Sequence, residues 1–74
     1  MNEEIFEMLK GINEDFEGDA DTDLFDAEII DSFEIIKLVM QLEEKFGVVI
    51  GVEMITAENF RTVDKIANLI KKLS

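Results

Sequence analysis

Apolar residues recur at helical spacing in three separate stretches of this 74-residue chain, and this pattern limits the fold more than any other feature. The members are Ile5, Met8, Leu9, Ile12 and Phe16 in the first stretch, Ile35, Leu38, Val39, Leu42 and Phe46 in the second, and Val63, Ile66, Ala67, Ile70 and Leu73 in the third. Successive helical residues turn by about 100°, so each set lies on one side of a helix that packs on a core. The sequence therefore predicts an all-α fold, a small bundle of three main helices.

The segments between these stretches predict a long first loop and one further short helix. Residues 17–31 form an acidic link with seven carboxylates and no base. The link has four apolar residues that can hold it on the core: Leu24, Phe25, Ile29 and Ile30. Thr56 and Thr62 are predicted N-caps, the first of a short helical turn through Asn59 and the second of the last helix.

Gly47 is the predicted C-cap of the second helix, because glycine adopts the left-handed conformation that often ends a helix. Residues 48–50 could form a strand but have no convincing partner, so we expect a loop packed on the core. The chain, 1–74, is expected to form a single domain.

Composition argues against catalysis by this chain. Cysteine and histidine are both absent, which excludes disulfides and thiolate metal sites and removes the commonest general base. A core of this size contributes only about 3–5 kcal/mol and leaves little room for a deep active site. We therefore expect a protein that is not an enzyme.

The charge of the chain favours protein partners over nucleic acid or membranes. The net charge is −11, and it is concentrated in residues 1–34, which hold thirteen acids and one lysine. Such a surface repels nucleic acid and anionic membranes and steers the chain toward basic patches on proteins. No apolar run is long enough to span a membrane and no secretory signal pattern opens the chain, so we expect no membrane insertion, a cytoplasmic location and a monomer.

The second predicted helix opens with Asp31, Ser32, Phe33 and Glu34. Asp31 can accept a hydrogen bond at the N-cap, and Glu34 can reach back to it as in a capping box. This arrangement leaves Ser32 as the first helical residue, with its hydroxyl free and directed to solvent. An anion attached there would lie at the positive end of the helix dipole. Taken alone, however, an Asp-Ser pair at a helix start is simply a cap.

The same helix has more apolar surface than packing on one core requires. Phe33, Ile36 and Met40, which we name the apolar strip, are centred about 130° from the core side of the helix. Glu43 and Glu44 flank the strip. Either the long loop covers it or it is exposed, and an exposed apolar strip rimmed by acids is typical of a partner-binding face.

The stretch from Asp31 to Gly47 resembles the acyl carrier protein family, and the resemblance continues through residues 55–60 into the last helix. The order of helices and the long first loop fit the same family. Its members carry 4′-phosphopantetheine on the serine of an Asp-Ser-Leu motif, and the cargo forms a thioester with the thiol of this arm. The resemblance therefore implies that Ser32 is the attachment residue, beside Asp31 at the helix cap.

The resemblance also implies the partners. A holo-carrier synthase, which is a phosphopantetheinyl transferase, would take the arm from coenzyme A, and loading and processing enzymes with basic patches would act on the cargo. The family's recognition helix corresponds to residues 32–46. The partner-binding residues implied here are Phe33, Glu34, Ile36, Met40, Glu43 and Glu44. Fast, salt-sensitive encounters with these partners would be favoured by the acidic residues Asp31, Glu34, Glu43, Glu44, Glu53 and Glu58.

Three positions differ from the common family pattern. Phe33 replaces the usual leucine, Ile29 stands where many members have glycine, and Lys37 occupies a position that is often acidic. Residues 55–60 are also similar to discrete peptidyl and D-alanyl-type carriers. The cargo therefore stays open among fatty acyl, polyketide and aminoacyl groups, including D-alanyl.

Two other functions compete with the carrier interpretation. Alternating Asp19, Asp21 and Asp23 have the spacing of a calcium-binding EF-hand loop, but Leu24 and Ile30 stand where that loop needs glycine and glutamate. No metal site is therefore expected. The remaining alternative is an unmodified acidic helical domain that binds proteins through the apolar strip and needs no free hydroxyl.

Overall fold

The computed structural model describes residues 1–74, and its regular structure is entirely helical. The elements in chain order are α1 (Asn2–Ile12), α2 (Ser32–Phe46), a 3₁₀ turn (Val52–Met54), α3 (Ala57–Phe60) and α4 (Val63–Leu73). Helix α1 packs on both α2 and α4, and the short α3 packs on α4. The predicted all-α bundle of three main helices, one short helix and a long first loop is confirmed.

The core consists of 17 buried residues, all of them hydrophobic. Helix α2 contributes the predicted Ile35, Leu38, Val39 and Leu42. Helix α4 contributes Leu69 in addition to its predicted buried residues Val63, Ile66, Ala67 and Ile70. The periodic stripes therefore identified the inner sides of both helices correctly.

Helix α1 is shorter than its stripe predicts. It ends at Ile12, because Asn13 takes an extended conformation (φ −136°, ψ 102°) and its side-chain Oδ1 accepts a hydrogen bond from the backbone N–H of Asp15 at 3.1 Å. Phe16 is nevertheless 2% exposed, since it packs from the following turn with its ring 6.0 Å from that of Phe6. The prediction of a buried Phe16 is confirmed, but the prediction that it lies on the helix is wrong.

The link between α1 and α2 is fastened to the junction of α3 and α4. The backbone N–H of Leu24 donates to the carbonyl of Arg61 at 2.7 Å, and the N–H of Asp64 donates to the carbonyl of Ala20 at 3.2 Å. The guanidinium of Arg61 also pairs with the carboxylate of Asp23 at 2.8 Å. Leu24 and Ile30 are buried as predicted, so contacts of the link with the core fix the position of the start of α2.

The acidic side chains of this link form turns. Asp19 Oδ1 accepts from the N–H of Asp21 at 3.0 Å, and Asp23 Oδ1 accepts from the N–H of Asp26 at 3.0 Å. The bond from Asp26, followed by the contact with Arg61, lowers the pKa of Asp23 below its ordinary value. Acidic side chains of this structure do not gather in groups of three or more that could hold a metal ion.

The three predicted helix caps are confirmed. Gly47 adopts the left-handed conformation (φ 65°, ψ 34°), and its N–H donates to the carbonyl of Glu43. Thr56 Oγ1 accepts from the N–H of Asn59, and Thr62 Oγ1 accepts from the N–H of Lys65. No helix combines the length and apolar character that crossing a membrane would need.

Candidate functional site

The start of α2 is anchored on both sides of Ser32. Ile30 and Ile35 are both buried, and Asp31 between them is the N-cap in an extended conformation (φ −121°, ψ −171°). Ser32 is the first residue of the helix and is exposed, as are Asp31 and Phe33. The fold therefore presents a short exposed segment at a fixed helix start.

One carboxylate oxygen caps this helix. Asp31 Oδ1 accepts from the backbone N–H of Phe33 at 3.0 Å and from that of Glu34 at 2.9 Å. The next N–H, of Ile35, donates to the Asp31 carbonyl at 2.9 Å, which leaves the N–H of Ser32 without a partner in the protein. The predicted cap is confirmed, and one unpaired donor stays beside the serine.

The prediction that Glu34 reaches back to complete a capping box with Asp31 is wrong. The carboxylate of Glu34 makes no hydrogen bond to the N–H of Asp31. Asp31 is exposed, so water can satisfy its N–H while the Glu34 carboxylate stays hydrated. Glu34 is therefore available for contacts with other molecules.

Ser32 has the one hydroxyl of the chain that no protein group engages. Tyrosine is absent, and the other hydroxyls belong to Thr22, Thr56, Thr62 and Ser74. Thr22 Oγ1 is bonded to Asp19, the hydroxyls of Thr56 and Thr62 cap helices, and Ser74 Oγ donates to the carbonyl of Ile70. A reagent that needs a free, exposed hydroxyl finds one only at Ser32.

The apolar strip is open to solvent. The exposed fractions are 81% for Phe33, 50% for Ile36 and 63% for Met40. The long first loop therefore does not cover the strip, which resolves the choice that the sequence left open. A row of three large apolar side chains begins directly after Ser32 and runs along α2.

The acidic residues around the strip have different surroundings. Glu44 is exposed, whereas Glu43 is half-buried and its Oε2 accepts from the backbone N–H of Ile50 at 2.9 Å. Glu43 therefore holds the loop after α2, a role that its helical position did not indicate. Glu53 and Glu58 are exposed, and Glu34 is half-buried.

Two further exposed apolar residues lie in the segment after α2. Val49 is 81% and Val52 84% exposed, while Val48 and Ile50 are buried. Residues 48–50 are all apolar, so the sequence has no signal that distinguishes the exposed Val49 from its buried neighbours.

The largest cavity of the molecule lies elsewhere. It is an open depression of about 440 Å³ beside the stacked Phe6 and Phe16, and its lining residues come from α1 and from the turn after it. None of them belongs to α2. The start of α2 is therefore a presenting surface and not an enclosed pocket.

Comparison with known proteins shows the family of this chain. The model of a family described as "Phosphopantetheine attachment site" matches residues 4–70. The chain belongs to this family. Phosphopantetheine carriers of this kind bear the 4′-phosphopantetheine group covalently, and they interact with a phosphopantetheinyl transferase and with loading enzymes. An unmodified interaction domain, the alternative that the sequence left open, is not favoured.

Several carriers of known type are similar to this one over most of its length. The D-alanyl carrier protein of Lactococcus lactis subsp. cremoris is 32% identical over 74 aligned residues, which cover 97% of this chain and 94% of the relative. The D-alanyl carrier protein of Streptococcus mutans serotype c is 35% identical and covers 90% of both chains. That of Lactobacillus delbrueckii subsp. bulgaricus is 26% identical over 89% of this chain and 82% of the relative.

Proposed function

We propose that the carrier bears its phosphopantetheine arm on Ser32 and presents an aminoacyl group, of which D-alanyl is the leading candidate. The observation that supports the position is the unengaged hydroxyl of Ser32 at the exposed start of α2. The other four hydroxyls are bonded within the protein, and their modification would remove a cap or a turn.

The electrostatics of the helix start favour a phosphodiester on Ser32 despite the acidic neighbours. The N–H of Ser32 has no protein partner and lies at the positive end of a 15-residue helix. An anion at such a position gains about 0.3–1 kcal/mol from the helix dipole. Asp31 opposes this gain by charge, but its Oδ1 is already bonded to two backbone N–H groups.

Attachment requires one substitution at phosphorus. The Ser32 Oγ attacks the phosphorus that carries the pantetheine half of coenzyme A, and a new O–P bond forms. The anhydride P–O bond breaks, the nucleotide half leaves, and the hydroxyl proton passes to a base. The chain has no histidine and no cysteine, so we assign that base to the transferase.

Once bound, the arm supplies a thiol that holds the cargo as a thioester. The chain itself is proposed to be no enzyme, and its residues present the arm and bind the partners that act on the cargo. The apolar strip supplies short-range attraction, and Asp31, Glu34 and Glu44 supply steering toward basic patches. Because coenzyme A is the donor, we place this function in the cytoplasm, with the domain 1–74 acting as a monomer.

The aminoacyl cargo is supported by the relatives. D-alanyl carrier proteins match this chain along nearly its whole length, including the helix that we propose docks partners. Fatty acyl and polyketide cargoes are the competing choices, and the second experiment separates a D-alanyl cargo from a fatty acyl one.

The first experiment tests the attachment residue. The chain is co-expressed with a promiscuous phosphopantetheinyl transferase and its intact mass is measured. The expected result is a gain of one phosphopantetheine in the parent chain and in Ser74→Ala, and no gain in Ser32→Ala. A gain that persists in Ser32→Ala would refute the assignment.

The second experiment tests the cargo. The modified carrier is incubated with ATP and either D-alanine and a D-alanine-activating ligase or a fatty acid and an acyl-carrier synthetase. We expect thioester formation with D-alanine, detected by mass and removed by hydroxylamine. Loading by the fatty acid alone would contradict the aminoacyl proposal and leave the attachment site intact.

A further inference from the structure

Lys37 lies in the middle of the exposed side of α2. It follows Phe33 by four residues and precedes Met40 by three, and residues at these spacings are neighbours on a helix surface. Lys37 is exposed, and the ion pairs of the structure are Met1–Glu4 and Arg61–Asp23. Its ammonium group is therefore not paired within the protein, and it is available to a docking molecule.

The charges around Lys37 are of the opposite sign. Asp31 and Glu34 lie toward the start of α2, and Glu44 lies two turns beyond Lys37 on the same side of the helix. Along the face that carries the apolar strip, the order of charges is therefore negative, positive, negative. The other exposed lysine of α2, Lys45, lies about 80° away around the helix axis from Lys37.

We propose that Lys37 is a specificity-determining residue of the docking face, and that the enzyme that docks there places a carboxylate opposite it. This inference rests on the proposed function, since it concerns the partner of the same face. The occupant is a protein with an apolar socket for Phe33, Ile36 and Met40, basic groups opposite Asp31 and Glu44, and an acidic group between them.

Charge complementarity supports this occupant over a uniformly basic one. A partner patch made only of Lys and Arg would bring a like charge against Lys37 beside apolar side chains that exclude water, and such juxtaposition is strongly unfavourable. An alternating pattern also fixes the direction in which the partner lies along α2. Lys37 thus disfavours enzymes whose docking surface is basic throughout. For enzymes with an acidic group opposite Lys37, it fixes their position along α2.

The experiment uses a cross-linking residue inside the face. The full chain, with p-benzoylphenylalanine in place of Phe33, is produced in the cells that naturally make it, irradiated, and compared with the same chain carrying Lys37→Glu or Lys45→Glu. We expect the yield of the partner adduct to fall about tenfold or more in Lys37→Glu and less than about twofold in Lys45→Glu. Peptide mapping of the adduct should show an Asp or Glu in the contacted segment, and changing that residue to Lys should restore the yield with Lys37→Glu.

Several results would overturn the proposal. These are equal yields in the two lysine variants, a contacted segment without an acidic residue, no adduct at all, or an adduct only with a second copy of this chain or with lipid. Intact mass of each variant reports independently whether the phosphopantetheine arm is attached. Loss of the arm in the parent chain would refute the proposed function, whereas a normal arm with an unchanged adduct in Lys37→Glu would refute only the role of Lys37.

Discussion

Replacement of Asp31 by alanine should destabilise the carrier by removing the cap of α2. A single oxygen, Oδ1, accepts from the N–H groups of Phe33 and Glu34 at 3.0 and 2.9 Å. Loss of an N-cap side chain costs about 0.5–2 kcal/mol. Because Asp31 is exposed, water can partly replace the lost acceptor, so we expect about 1 kcal/mol, near the middle of that range.

The assay is thermal and urea unfolding followed by circular dichroism. For a domain of this size a loss of 1 kcal/mol lowers Tm by about 4–8 °C. Asp31→Asn keeps an acceptor at the cap and should lose less than about 0.5 kcal/mol. Ser32→Ala should also change stability by less than about 0.5 kcal/mol, because the hydroxyl makes no hydrogen bond and alanine is the better helix former.

Two outcomes would refute this reasoning. If Asp31→Ala unfolded at the same temperature as the parent chain, Oδ1 would not be the cap of α2. If Ser32→Ala lost as much stability as Asp31→Ala, the serine hydroxyl would be the capping group and would not be free for modification.

Three further predictions concern the rest of the fold. Met40→Glu should change the free energy of unfolding by less than about 0.5 kcal/mol, because Met40 is 63% exposed. Leu42→Ala should cost about 2–5 kcal/mol, because Leu42 is fully buried. Urea denaturation measures both losses, and equal losses would place Met40 in the core. Gly47→Ala should cost about 1–2 kcal/mol through its positive φ alone, since no atom lies within contact distance of an added Cβ, and an unchanged midpoint would contradict the left-handed cap. The lowered pKa of Asp23 means that its stabilisation is fully present above the ordinary aspartate pKa of about 3.9 and is lost as the pH falls through the lower folded value. Asp23→Asn should therefore flatten the dependence of unfolding free energy on pH in that window, and an identical slope would show that the contacts with Asp26 and Arg61 do not lower the pKa of Asp23.

The sequence predicted the elements whose determinants are local. The stripe of α2, the carboxylate of Asp31 and the glycine at position 47 lie within one continuous segment, and each acts on backbone groups a few residues away. The same periodicity separated the apolar strip from the core side of α2, but it left open whether the long first loop covers the strip, because helical spacing does not show how a loop packs.

Features that depend on distant or irregular contacts were not predicted. The stripe of α1 continues to Phe16, but periodicity records only angular position and cannot show that Asn13 interrupts the helix. The pair between Asp23 and Arg61 joins residues 38 positions apart, and the bond of Glu43 to the loop depends on how that loop folds back. No local pattern encodes these contacts.

Peptide mapping of the protein purified from the cells that naturally make it tests the central claim most directly. Digestion followed by tandem mass spectrometry reports both the modified residue and the group on the arm. We expect one phosphopantetheine on the peptide that contains Ser32, and an amino acid joined to the thiol of this arm as a thioester. An unmodified Ser32 peptide together with an arm on any other residue would contradict the account.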